Sequence, residues 1–224
     1  MTAQPLELVA SADTAGAAAR IIVDTLRGAT ADGRRASFAV SGGDTPGHAF
    51  ARLRTADLDW SLVDVFQVDE RVAPAGHPAR NLTRLSEVFL SRLPVVSHPM
   101  PVLATHLPRA AGDYADTLPA AFDLIQLGLG ADGHTASLVP GDPVLNAVAD
   151  VAISAPYPPG PDARQRMTLT YPAINRAGTI LWMVTGASKR DALAALLSGE
   201  ADIPGNRVRR DRAIVVADDA ALGR

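Results

Sequence analysis

Residues 122–141 read FDLIQLGLGADGHTASLVPG. The first six, FDLIQL (122–127), form an apolar run expected to be a buried strand. Four glycines, an aspartate and a histidine then crowd together before the chain turns polar and helix-like. Glycine at 128, 130 and 133 permits tight backbone beside a ligand. Asp132 lies two residues from His134 and can hold its ring tautomer, and histidine is the natural general base near neutral pH. A histidine inside a glycine turn, at the end of a buried strand, predicts a catalytic edge rather than a plain strand-to-helix connection.

Working outward, the same grammar repeats. SFAV (37–40) reads as a short buried strand, followed by SGGDTP and the helical pattern HAFARL. VDVFQV (63–68), RMTLTY (166–171), TILWMVTG (179–186) and AIVVAD (213–218) are expected to be further strands. Helices are expected over Asp13 to Leu26, over NLTRLSEVFLSRL (81–93) and over SKRDALAALLSG (188–199), the last closing on Gly199 as a C-cap. MPVLATHL (100–107) reads either way, as a loop or a short edge strand, and SAPYPPGPDARQ (154–165) reads as a Pro-rich surface loop. Strands alternating with helices imply an α/β protein with a mostly parallel, Rossmann-like sheet and helices on both faces. In such sheets ligands bind at the carboxyl ends of strands. SGGDTP, DER, LGADGHT and TGASK all fall there.

The 224 residues suffice for a sizeable core, read here as one domain spanning 1–224, and the 47% hydrophobic fraction is that of a globular chain. A net charge of -3 weighs against a nucleic-acid partner bound by bulk electrostatics, yet leaves room for a local cationic pocket. With no cysteine, disulfides, thiol nucleophiles and thiolate metal sites are excluded. MTAQPLELVA lacks the basic and apolar regions of a secretory leader, and no run approaches a membrane span, so a cytoplasmic protein is expected. Lys189 is the only lysine. In a chain that otherwise uses arginine, it marks a position suited to a compact ammonium.

Each polar stretch offers candidates. In SGGDTPG (41–47), Asp44 or Thr45 can cap a helix that Pro46 begins, while Gly42 and Gly43 let backbone approach an anion. The stretch is neither a Walker loop nor GxGxxG, so no nucleotide is inferred. In VDERV (68–72), Arg71 suits phosphate by bidentate contact, and Asp69 and Glu70 can orient it or bind hydroxyls. Ser41 and Ser137 lie outside any GxSxG elbow, which weighs against a serine hydrolase. No His, Asp or Glu spacing resembles a metal site.

Four stretches, FAVSGGDTP, FQVDERV…NL, FDLIQLGLGADGHTASLVPG and RMTLT…VTGASK, occur in that order. Together they resemble the 6-phosphogluconolactonases, within the wider family that also holds the glucosamine-6-phosphate deaminases. The likeness runs from about residue 37 to 190, and AIVVADDAA resembles the family's ending. It implies a NagB/RpiA/CoA-transferase-like fold and hydrolysis of 6-phosphogluconolactone, without metal or organic cofactor. The partner implied is a small sugar-phosphate lactone, with a monomer expected and a weak dimer as the alternative. By position, His134 is implied as general base, and Asp69 and Asp132 as groups that hold the sugar or orient the histidine. Arg71, Arg166 and Lys189 are implied around the phosphate, with the Gly42–Gly43 turn, and Asp44 and Thr45 next to it are further candidate binding positions. Backbone N–H groups of the glycine turn, Gly130 included, are expected to face the tetrahedral oxyanion.

The chain departs from the family in places. Asp44 stands where the family has serine, and is expected to point away and cap the helix. Arg80 stands where a serine usually precedes Asn81, and Tyr157 lies in a loop that carries a lysine in the family. The deaminase branch follows DGH with a stretch holding a glutamate that helps ring opening. Here Thr135 to Pro140 carries no carboxylate, which favours the lactonase over the deaminase. A sugar-phosphate sensor, the remaining alternative, usually brings an additional domain.

Overall fold

In the computed structural model, which describes residues 6–160 and 163–224, the stretch Ala36–Val40 is buried at every position. A strand without a solvated face must sit inside a sheet covered on both sides. It is β2 of a series that runs β1 (Glu7–Ala10), α1 (Thr14–Thr30), β2, α2 (Asp44–Leu53), β3 (Val63–Gln67), β4 (Asp69–Arg71), α3 (Asn81–Val88), β5 (Val96–His98), α4 (Leu107–Ala115), β6 (Leu124–Gly128) and β7 (Val151–Tyr157). The chain continues through β8 (Arg164–Leu169), α5 (Tyr171–Ile174), β9 (Thr179–Val184), α6 (Arg190–Ser198), β10 (Ala213–Ala217) and α7 (Asp219–Leu222).

Seven strands form one sheet in the order β1-β10-β9-β6-β2-β3-β5, and every neighbouring pair is parallel. Strand alternation splits its side chains between two cores. Phe38, Val40, Leu181 and Met183 pack with Ile22 of α1, Phe50 of α2 and Leu85 of α3. Ala39, Ile125, Leu127 and Trp182 pack on the other face with Tyr114 of α4 and Leu193 of α6. Each fully buried large side chain of this kind stabilises the fold by about 1.5–3 kcal/mol. The strand order reverses between β2 and β6. From β2 the chain builds one way through β3 to β5, and from β6 it builds the other way through β9 to β10, leaving a crevice at the carboxyl ends of β2 and β6.

A second, antiparallel sheet of order β4-β8-β7 lies beside the first. One residue, Val68, joins them. Its N–H donates to the Val40 carbonyl at 2.9 Å, and its own carbonyl accepts from Leu169 N at 2.8 Å. RMTLTY, expected beside the parallel strands, therefore belongs to this smaller sheet, and DER is itself a strand rather than a polar turn. The Pro-rich stretch 154–165 is largely a hairpin: residues 154–157 end β7 and 164–165 begin β8, with 161–162 outside the described residues.

Several boundaries move for local reasons. Asp13 caps α1, accepting from Gly16 N at 3.1 Å, and the helix runs on to Thr30. The helix expected over 81–93 ends at Val88 and gives way to a 3-10 turn at Leu90–Arg92. The edge strand is Val96–His98, a few residues before MPVLATHL, which forms turns leading into α4. Gly199 closes α6 in the left-handed conformation, φ 72°. After His134 no helix follows. Leu138 N bonds back to the Thr135 carbonyl at 2.9 Å, with Ala136 in the left-handed region at φ 52°.

Candidate active site

The crevice between β2 and β6 opens into a cleft of about 480 Å³, counting the space at its mouth. The carboxyl ends of four strands supply its walls: Ser41 and Gly42 after β2, Asp69 and Arg71 after β3, Gly130 and His134 after β6, and Lys189 after β9. Arg166, from β8, and Asn81, the first residue of α3, complete it.

Strand parity sorts the DER cluster. Residues 69 and 71 share one face of β4, and residue 70 takes the other. Asp69 is buried, accepting from Ser137 Oγ at 2.7 Å and from Asn81 Nδ2 at 3.2 Å. Arg71 donates from Nη1 to Asn81 Oδ1 at 2.5 Å and to the Ala79 carbonyl at 3.2 Å. Glu70 turns away from the cleft and is fully buried. It accepts from the backbone N–H groups of Asn81 at 2.7 Å and Leu82 at 2.9 Å, so it caps α3 from outside that helix. Gln67 Nε2, Arg71 N and Arg80 Nε also donate to it. The sequence cast Glu70 as an orienting or hydroxyl-binding group. Its work is to fix Asn81, and Arg80 is drawn inside to pair with it at 3.4 Å.

His134 and Asp132 form a tight pair. Asp132 Oδ1 lies 2.5 Å from His134 Nδ1 and also takes the His134 backbone N–H at 3.2 Å, while Oδ2 accepts from the Tyr157 hydroxyl at 2.7 Å. Burial pushes the Asp132 carboxyl up, but the hydrogen bonds from Tyr157 and His134 outweigh it and hold the group below its ordinary value. An ionised carboxylate only accepts, so His134 Nδ1 carries a proton, and in the neutral ring the lone pair is then on Nε2. Gly130 makes room for the pair: a Cβ there would lie 2.0 Å from His134 Nδ1 and 2.5 Å from Asp132 Oδ1. Its N–H does not face the cleft as expected. It is taken by the His134 carbonyl at 2.7 Å, and the Gly133 N–H by the Gly130 carbonyl at 3.0 Å, so neither serves an oxyanion.

The cationic wall is Arg71, Arg166 and Lys189. Arg166 is buried and donates from Nη2 to the Tyr157 carbonyl at 2.8 Å, while its Nε has no partner. Burial lowers its pKa most, Asp69 works against that, and Arg71 adds to it. Lys189 sits in a 3-10 turn after Gly186, whose N–H is held by both Asp218 oxygens at 3.0 Å. Gly42 is pressed against Asn81, since a Cβ there would lie 2.0 Å from Asn81 Oδ1. Gly43, Asp44 and Thr45 do not line the cleft. Asp44 pairs with Arg84 at 2.5 Å on an exposed rim, and Thr45 Oγ1 meets Thr185 Oγ1 at 2.8 Å. Neither caps α2, whose N-cap is Gly43 without a side-chain bond.

Among the described residues, no three His, Asp or Glu side chains converge as a metal site requires, and no helix is long and apolar enough to cross a membrane. Asn81, Tyr157 and Asp218 are the contributors whose part the sequence left unassigned.

A family model described as glucosamine-6-phosphate isomerases/6-phosphogluconolactonase matches residues 10–216. A 6-phosphogluconolactonase of Synechocystis is 38% identical over 187 residues, 78% of this chain and 76% of its own length. One from Streptomyces coelicolor is 31% identical and spans 96% of this chain and 90% of its own. Among solved structures, the 6-phosphogluconolactonase of Thermotoga maritima superposes with a TM-score of 0.85 at 23% identity, covering 96% of this chain and 98% of its own. A monomeric glucosamine-6-phosphate deaminase gives the same TM-score, 0.85, at 19% identity, covering 98% and 99%. The fold is thus common to both activities, and only the side chains in the cleft can separate them.

Proposed function

The chain belongs to the glucosamine-6-phosphate isomerase/6-phosphogluconolactonase family, and from that premise we propose that it hydrolyses 6-phospho-D-glucono-1,5-lactone to 6-phospho-D-gluconate, the lactone step of the oxidative pentose phosphate pathway. The observation that carries this reading is the juxtaposition, in one cleft, of a carboxylate-held histidine and a wall of three cations. The relatives at 31–38% identity that carry the lactonase name support it. So does the stretch from Thr135 to Pro140, which offers none of the carboxylate that ring opening of an amino sugar would use.

In this reading the phosphate lies among Arg71, Arg166 and Lys189, with the lactone carbonyl towards His134. The phosphate is remote from the reacting carbon, so the cations position the substrate rather than activate it. A lactone is already an activated ester, and no covalent nucleophile is required. His134 Nε2 takes a proton from water, and the water oxygen attacks C1. The imidazolium, stabilised by Asp132, then returns the proton to the departing ring oxygen. Proton transfer of this kind contributes about 10²–10⁴-fold to rate. Asp69, oriented by Ser137 and Asn81, is available to the sugar hydroxyls. No metal or organic cofactor takes part in these steps.

The test is acid release from freshly prepared 6-phosphogluconolactone, corrected for spontaneous hydrolysis. Acceleration over buffer is expected for the wild type, and none for His134→Ala, which should still bind 6-phosphogluconate. Failure of the wild type to accelerate hydrolysis would sink the reading. Turnover by His134→Ala would move the base elsewhere.

A further inference from the structure

Tyr157 occupies a position that neither strand alternation nor a plain hairpin explains. It ends β7, where the pairing with β8 shifts register between Ser154 and Tyr157. That shift brings the side chain over the catalytic pair. Its hydroxyl donates to Asp132 Oδ2 at 2.7 Å, and its ring meets the His134 imidazole edge to face at 5.4 Å. The same residue holds Arg166 twice: its carbonyl accepts from Nη2 at 2.8 Å, and its ring lies 5.4 Å from the guanidinium carbon. One side chain thus touches both the acid–base pair and the cationic wall.

We propose that Tyr157 is a positioning residue that fixes the Asp132–His134 pair and ties its geometry to Arg166. The proposal rests on His134 being the base. The physical case is that of a second partner for a carboxylate. With Oδ1 given to His134 and Oδ2 to Tyr157, Asp132 cannot rotate, so the imidazole it holds keeps Nε2 aimed into the cleft. The hydroxyl also draws charge from the carboxylate and so tempers the pull of Asp132 on the imidazolium. Its hydrogen bond to Asp132 raises the Tyr157 phenol above its ordinary value, so the hydroxyl stays a donor throughout the working range. The other charged groups lining the cleft around His134 are Asp69, Arg71, Arg166 and Lys189.

The experiment compares wild type, Tyr157→Phe and Tyr157→Ala by their pH profiles of kcat and KM on the lactone, with His134→Ala alongside. Phenylalanine keeps the ring and the carbonyl and deletes only the hydroxyl. The expected result is a fall in kcat of about 10–100-fold, the rate equivalent of one hydrogen bond to a charged group. KM should stay near the wild-type value. The acid limb of kcat/KM should move to higher pH, because an untempered Asp132 carboxylate binds the imidazolium more strongly. Tyr157→Ala, which also loses the ring against Arg166, should raise KM as well. Wild-type kcat in Tyr157→Phe, or a lowered kcat with the acid limb unmoved, would overturn the proposal. An active His134→Ala would instead overturn the base assignment beneath it, so the two failures are distinct.

Discussion

Arg71 of β4 and Arg166 of β8 stand directly opposite each other in the antiparallel ladder. Like charges so placed destabilise a sheet, and Arg166 is buried besides. An anion bridging the two, as in the proposed phosphate position, would offset that cost. Arg166→Met should therefore raise KM for the phosphorylated lactone by about 10–100-fold, the loss of a hydrogen bond to a charged group. Its ligand-free stability in urea should match or exceed that of the wild type. An unchanged KM would remove Arg166 from the substrate site, and a large loss of stability would make its role structural.

Gly130 tests the packing of the acid–base pair without touching either partner. Alanine there places a methyl carbon 2.0 Å from His134 Nδ1, and the imidazole must swing aside. A displacement of about 1 Å at a reacting group costs roughly 10²-fold. The expected outcome for Gly130→Ala is a kcat lower by about that factor, with a far-ultraviolet spectrum like that of the wild type. Full activity would show that the pair tolerates displacement.

Glu70 should behave as a structural residue despite lying between two cleft residues. Glu70→Ala leaves the N–H groups of Asn81 and Leu82 without their acceptor and Arg80 buried without its partner. An unpaired buried charge and uncapped donors together are expected to cost about 3–5 kcal/mol, measured by urea unfolding. A loss of activity with stability intact would instead place Glu70 in the chemistry.

Asp123 links folding to acid. Burial pushes its carboxyl up, but hydrogen bonds from Arg34 and Ser37 outweigh this and hold it below the ordinary 3.8. A folded value below the unfolded one means a stabilisation fully present above pH 3.8 and lost as pH falls further, through the folded value. Asp123→Asn should lower Tm at neutral pH and flatten the acid limb of Tm against pH. Because Arg34 is half exposed, added salt should shrink the difference. An acid limb as steep as that of the wild type would refute the linkage.

The parallel sheet and the residues of its carboxyl edge were legible in the sequence because buried parallel strands read as short apolar runs, and their ends carry the punctuation. SFAV, FDLIQL and AIVVAD all held to within a residue or two. The second sheet was not legible. VAISAPY mixes faces around a register shift, and DER reads as a turn because three charged residues seldom form a strand. Asn81 gave only the signal of a helix start, and Asp218 only that of a strand end. What they do depends on Arg71 and Gly186, neighbours brought close by the fold. Asp44 looked like a cap because carboxylates favour helix starts, and Arg84, forty residues further along the chain, takes it instead.

Val68 carries a consequence for how this chain can change. It is the residue through which the parallel sheet hands the strand to the antiparallel one, and side chains beyond it are counted off in twos. Removing or adding one residue there would send Glu70 into the cleft and turn Asp69 and Arg71 into the core. Length can change at the outer loops without this effect, whereas at this junction one residue more or less re-sorts every side chain of β4.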